Sequence, residues 1–255
     1  MNIKCGLVII VLLLAFIGGE LFVLHLQNEK YFKEIPPVQS YLNYSKLEDD
    51  LLEEDSNLEE NIDNSLEEEV PQKINLMIVA HPDDETLWGG AHLIEDNYYV
   101  VCVTCGNVLY RDEEFKKIMM LTGNDFEFLG YPDLVNGYIS DWKNYSDSIT
   151  KDLKRIIDSR DWNIIVTHNP DGEYGHFHHK KVSSMVTALA SKNKLYYFGK
   201  YYSKDYIPDI GKLKEEVYKE KINDLIAVYQ SQPLAIQKHY HMLPYENFIQ
   251  YYNWN

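Results

Sequence analysis

From Ile74 onward the chain alternates between two textures. Short runs rich in Val, Ile, Leu and Tyr are separated by longer stretches in which apolar residues are spaced among charged ones. The runs Asn75–Ala80, Tyr99–Thr104, Asp125–Leu129, Asn163–Thr167 and Leu195–Tyr201 predict strands. The stretches Leu87–Glu95, Asp112–Leu121, Ser146–Ser159, His179–Ser191 and Lys212–Tyr229 predict helices. This alternation predicts an α/β domain over residues 73–255, a three-layer, Rossmann-like arrangement around a mostly parallel sheet. Such folds carry their sites at the carboxyl ends of the strands. No G-x-G-x-x-G follows the first run, so a dinucleotide site has no support.

The N-terminal 72 residues read differently. Leu7–Ile17 is an unbroken apolar run about as long as a signal-peptide core, and with Leu21–Leu26 it reaches about 20 residues, enough to span a bilayer. Without an A-x-A site after it, residues 1–26 read as an uncleaved anchor in preference to a cleaved secretory signal. Positive charge precedes the span, while Glu29, Lys30, Lys33 and Glu34 after it cancel. The positive-inside rule then places the remaining chain on the extracytoplasmic or lumenal side. Residues 27–72 hold Pro36-Pro37 and an acidic run. Between Leu47 and Val70 lie twelve acids and no lysine or arginine. The stretch reads as a solvated, self-repelling stalk, with a short amphipathic helix through Leu47, Leu51, Leu58, Ile62 and Leu66 as the alternative.

That acidic run accounts for most of the net charge of -16. An acidic chain repels phosphate backbones, so nucleic acid is not an expected partner. Cys102 and Cys105 have C-x-x-C spacing but lie in a strand-like run, where they read as core or loop cysteines; no second pair completes a structural zinc site.

Candidate chemistry sits after the first and fourth predicted strands. The first ends in Ala80-His81-Pro82-Asp83-Asp84-Glu85. Spacing of three in a first helical turn places His81 and Asp84 on one side, able to share a metal, while Asp83 stays free. A helix cap accounts for the proline and the acids but not for the histidine. The fourth strand leads into Thr167-His168-Asn169-Pro170-Asp171-Gly172-Glu173-Tyr174-Gly175-His176-Phe177-His178-His179, which holds four of the chain's 9 histidines. His81, Asp84 and one of these make a three-ligand set of the kind zinc hydrolases use.

These motifs resemble the LmbE-like, or PIG-L, family of N-acetylglucosaminyl deacetylases. Ala80 to Glu85 with Gly89-Gly90 resembles the family signature, and Gly175-His176-Phe177-His178-His179 its G-H-x-x-H element. Arg111 to Glu114 with Gly123 resembles its R-x-x-E…G helix, and Tyr229-Gln230-Ser231-Gln232 a late S-Q element. The resemblance implies zinc on His81, Asp84 and His179, with Asp83 as general base and His176, as a cation, stabilising the oxyanion. It further implies that Tyr174 and Arg111 contact the substrate. The family often has Asp or Asn at the position of His178, where it bonds the first histidine of the element; here His176 loses that partner, with Asp171 as a substitute. The implied substrate is an N-acetylglucosamine-containing glycoconjugate, either N-acetylglucosaminyl-phosphatidylinositol or a surface polysaccharide. Gly106-Asn107 faintly resembles the phosphatidylinositol branch, whose catalytic domain faces the cytoplasm. The alternatives are a membrane-tethered sugar-binding pseudoenzyme and a zinc amidase that cleaves a larger acyl group.

Overall fold

The structure is a computed structural model and describes residues 73–104 and 109–254. The anchor, the stalk, Cys105 and Gly106-Asn107 lie outside the described residues. Among the described residues no helix is long and apolar enough to cross a membrane.

Strand β1 (Asn75–Val79) is buried at every position. Its alternate side chains feed two cores. Met77 and Val79 join Val100, Cys102, Phe115 and Ile118 on one face, while Leu76, Ile78 and Ala80 join Val101, Ile149, Leu153, Val182 and Val186 on the other. A strand with apolar side chains in both directions belongs in the middle of a covered, parallel sheet. The chain continues through α1 (Asp84–Glu95), β2 (Tyr98–Thr104), α2 (Leu109–Thr122) and β3 (Asp125–Tyr131). A two-stranded hairpin follows, β4 (Leu134–Val135) and β5 (Tyr138–Ile139), and then α3 (Ser146–Ile157), β6 (Ile165–Thr167), α4 (Phe177–Leu189) and β7 (Leu195–Phe198). In α3, Ile149, Leu153, Ile156 and Ile157 recur at helical spacing and form its buried stripe.

The six-stranded sheet has the order β3-β2-β1-β6-β7-β8, where β8 (Phe248–Gln250) pairs antiparallel with β7 and all other pairs are parallel. The chain moves outward from β1 through β2 to β3, then returns to lay β6 on the other side of β1. The crevice between the carboxyl ends of β1 and β6 is therefore the topological switch point, where open α/β sheets bind ligands. Both predicted motifs leave the sheet there. Helix α1 lies close on the sheet because Gly89 has no side chain; a Cβ there would stand 2.6 Å from Met77 Cε.

The five predicted strands and the first four predicted helices are present with shifted ends. The stretch Lys212–Tyr229 departs from one helix. It is α5 (Glu215–Glu220), a π turn (Lys221–Leu225) and a 3-10 turn (Ile226–Val228), followed by α6 (Pro233–His239). The cause is Lys221, which turns inward instead of facing water. Its fully buried Nζ donates to the Leu87 carbonyl at 2.9 Å and pairs with Glu246 at 2.5 Å. Glu246 also accepts from the Ala91 and His92 amides at 3.1 Å, and the His92 ring lies 2.6 Å away. This clamp fastens the C-terminal region to α1. Lys221→Met leaves Glu246 buried without its main counter-charge, so a loss of about 3–5 kcal/mol is expected in denaturant unfolding. An unchanged midpoint would show that the clamp is dispensable.

Candidate metal centre and active site

The turn after β1 does not run straight into the helix. Asp83 sits at φ 113° and ψ -31°, a left-handed conformation that strains any residue except glycine. As the residue before α1, it makes no side-chain capping bond. Its N–H donates to Glu85 Oε2 at 3.1 Å, and Glu85 in turn accepts from Thr86 Oγ1 at 2.7 Å and from the Tyr229 hydroxyl. The strain is thus held by a buried carboxylate, which the late element around Tyr229 supports. In the same way Glu114 accepts from the Ser231 backbone N–H at 2.8 Å and from its hydroxyl.

His81 and Asp84 do come together, but not through helical spacing. His81 precedes the helix, its N–H donates to Asp84 Oδ2 at 2.9 Å, and its Nδ1 lies 3.2 Å from the same oxygen. On the other carboxylate oxygen, Oδ1, His179 Nε2 stands at 3.2 Å. His179 Nδ1 lies 2.5 Å from the buried Glu173. A carboxylate only accepts there, so Nδ1 carries a proton, and in the neutral ring Nε2 presents a lone pair to Asp84. That Nε2 is buried and has no hydrogen-bond partner. Two acceptors facing each other in a buried place fit a cation between them, and the backing of His179 by Glu173 is the usual outer support of a metal-ligating imidazole. Ligand atoms of Asp84, His168 and His179, and of His81, His176 and His179, lie within 4.8 Å of one another, so this cluster suits a metal ion.

His168 is buried beside this set, with Nε2 3.4 Å from Asp84. That nitrogen also accepts the Ala80 N–H at 2.9 Å, and Nδ1 bonds Glu173 at 3.0 Å. Burial lowers its pKa, but Glu173 and Asp84 outweigh that and raise it to about 9. The Ala80 N–H aimed at Nε2 opposes the second proton, so His168 serves the site as a neutral support for Glu173.

The two adjacent aspartates sit in different fields. Asp84 is buried, yet His179 holds its carboxyl well below the usual carboxylate range. Burial, and then the charge of Asp84, push Asp83 up to about 8. Arg111 partly opposes this from 3.6 Å, while also donating to the Pro82 carbonyl at 2.8 Å and Asp133 at 3.2 Å. His176 lies edge-on to His81 with ring centroids 4.8 Å apart. Its Nδ1 is buried and unpartnered, and burial with nearby His179 and His81 lowers its pKa to about 3. The ring is therefore neutral, in contrast to the cation expected from sequence. Asp171 is exposed and does not replace the missing partner. Tyr174 lies edge-on to both His176 and His179, stacked on His239 at 4.1 Å with Lys238 over its ring. The structure thus gathers all seven residues picked from sequence around one crevice.

Comparison with known proteins shows the family. An uncharacterized protein of Acanthamoeba polyphaga mimivirus is 31% identical over 191 residues, covering 68% of this chain and 78% of that protein. Residues 76–190 match the GlcNAc-PI de-N-acetylase family, PIG-L. The chain belongs to the PIG-L family. Another relative, the 1D-myo-inositol 2-acetamido-2-deoxy-alpha-D-glucopyranoside deacetylase of Corynebacterium diphtheriae, is 27% identical over 146 residues, 44% of this chain and 50% of that enzyme. The crystal structure of the pseudoaglycone deacetylase Dbv21 shares the fold, with a TM-score of 0.53 at 18% identity over 67% of this chain and 87% of that one.

The matched PIG-L segment contains three site residues to which the sequence reading gave no role, Glu85, Asp133 and Glu173, and it contains His168, one of the loop histidines considered as a ligand. Asp133 follows β3 and lies 3.5 Å from His81 Nε2. Although partly buried, it is held at a pKa of about 2 by His81 and Arg111. Its place at the carboxyl end of a sheet strand was the one available signal.

The titrations predict how metal-free protein responds to pH. Asp83 is raised to about 8, and Glu85, chiefly by burial, to about 7. His81 and His179 are raised despite burial, by Asp133 and Asp84 for the first and by Asp84 for the second. Each of these groups holds its proton more tightly folded than unfolded, so stability is lost as pH rises through the folded values. Above about pH 7 the depressed His176, His178 and His239 are neutral folded and largely neutral unfolded, and add little. In chelator, the denaturant midpoint should fall between about pH 7 and 9. A flat or rising midpoint would contradict the assigned fields.

Proposed function

We propose that the chain is a zinc-dependent hydrolase that removes the N-acetyl group from an N-acetylglucosamine-containing glycoconjugate. The observation that carries this reading is the pair of adjacent buried aspartates with opposite fields. Asp84 is committed to His81 and His179, while Asp83 faces Arg111 at 3.6 Å and keeps a raised pKa. The deacetylase relatives support an amide of an amino sugar as the substrate class.

His81, Asp84 and His179 would hold the zinc. When bound, it supplies Lewis acidity, polarising an amide carbonyl and making water a competent nucleophile near neutral pH. Asp83 takes one proton from the attacking water as the new C–O bond forms. Neutral His176 donates a ring N–H to the carbonyl oxygen as charge develops there. Asp83 then delivers its proton to the departing nitrogen as the C–N bond breaks, leaving acetate and a free amine. Arg111, anchored on Pro82 and Asp133, and Tyr174, stacked on His239, line the approach and orient the sugar. The proposed location is a membrane surface, with residues 1–26 as the anchor, 27–72 as the stalk, and the hydrolase domain extracytoplasmic or lumenal. The apolar length of the N-terminal run and the charge before it support that location. Release of the full chain from membranes by alkaline carbonate would argue against the anchor.

Asp84→Asn should abolish zinc binding, whereas Asp83→Asn should keep zinc and lose about 10²–10⁴-fold in acetate release from N-acetylglucosamine conjugates. The rate should climb with pH as Asp83 loses its proton, with a midpoint below 8 because a neighbouring cation favours the carboxylate. Asp83→Asn should lack that limb. Zinc stoichiometry and pH–rate profiles of both variants decide the matter. Zinc retained in Asp84→Asn but lost in Asp83→Asn would reverse the roles, and zinc bound without acetate release would favour a sugar-binding pseudoenzyme.

A further inference from the structure

His178 stands where the family often has Asp or Asn, yet its bonds lead elsewhere. Its Nε2 lies 2.7 Å from the Ser140 backbone carbonyl and its Nδ1 lies 2.9 Å from His81 Nε2. The ring is stacked on Trp142 at 4.0 Å with 4° between the planes. Trp142 is fully buried and its indole N–H donates to the Pro132 carbonyl at 2.8 Å, so the stack is anchored on both sides of the β4–β5 hairpin.

Bond polarity fixes every proton in this chain. A carbonyl can only accept, so His178 Nε2 carries a hydrogen. In the neutral ring Nδ1 is then a bare acceptor. The 2.9 Å contact then requires His81 Nε2 to be the donor. A neutral His81 with hydrogen on Nε2 has its lone pair on Nδ1, the atom 3.2 Å from Asp84. Asp133, 3.5 Å from His81 Nε2, favours the same proton position at longer range.

We propose that His178 is a positioning residue that sets the tautomer of His81, transmitting the polarity of the Ser140 carbonyl so that Nδ1 faces the metal position. The departure from the family pattern therefore moves the support from His176 to a ligand. His176 is left unpartnered, and His81 gains a neutral acceptor locked by stacking. This inference rests on the zinc reading for its binding arm, but the tautomer itself is a property of the metal-free protein.

Two measurements test it. In metal-free protein at alkaline pH, where the rings are neutral, nitrogen-15 spectra should show His81 protonated at Nε2 and His178 at Nε2. A proton on His81 Nδ1 would overturn the proposal, whether or not zinc binds. In the second arm, His178→Phe keeps the stack on Trp142 but removes the acceptor, and zinc affinity by competition titration should fall about 10–100-fold. His178→Asn, whose amide oxygen can occupy the place of Nδ1, should recover most of that loss. Unaltered affinity in His178→Phe, or His178→Asn as weak as His178→Phe, would assign the tautomer to Asp133 or to packing alone. Failure of the unaltered protein to bind zinc would sink the hydrolase reading and leave the spectroscopic result standing.

Discussion

A buried carboxylate needs positive charge or hydrogen-bond donors within reach, and Asp84 has few donors of its own. One backbone N–H serves Oδ2, while three imidazoles crowd the two oxygens within 3.4 Å. The surroundings are arranged around this one anion. Glu173 backs two of the rings, Asp133 and His178 back the third, and the remaining acid, Asp83, is displaced into a strained backbone position where its own charge is disfavoured. A cation at the centre would relieve most of these conflicts together. The same substitution of a neutral residue at Asp84 would leave several histidines with no reason for their present orientation.

Much of this was legible from residue order, for local reasons. Strands buried on both faces announce themselves as apolar runs, and the crevice follows from where the histidine-rich and aspartate-rich turns leave them. The pairing of His81 with Asp84 was legible although its geometry was not, because Asp83 breaks the helical turn that the spacing assumed. Glu85, Glu173 and Asp133 were hidden because a lone acid near a turn has many ordinary explanations. Only the fold shows that Glu173 meets two rings, one five residues before it and one six after it, or that Asp133 reaches His81 beyond the end of β1. Lys221 was hidden for the opposite reason. A lysine among charged neighbours reads as a solvated helix face, and its inward turn is driven by Glu246, twenty-five residues downstream.

The clamp between the C-terminal region and α1 has a genetic consequence. Residues 76–190 match the family, yet Tyr229, Ser231 and Glu246 lie beyond that segment and bond to Glu85, Glu114 and α1 within it. A change at Tyr229 would release Glu85, and with it the backbone that aims Asp83, without touching any group that meets substrate. Defects in the turn after β1 and in the tail should therefore be epistatic, and suppressors of one would be recovered in the other, across more than a hundred residues of intervening sequence.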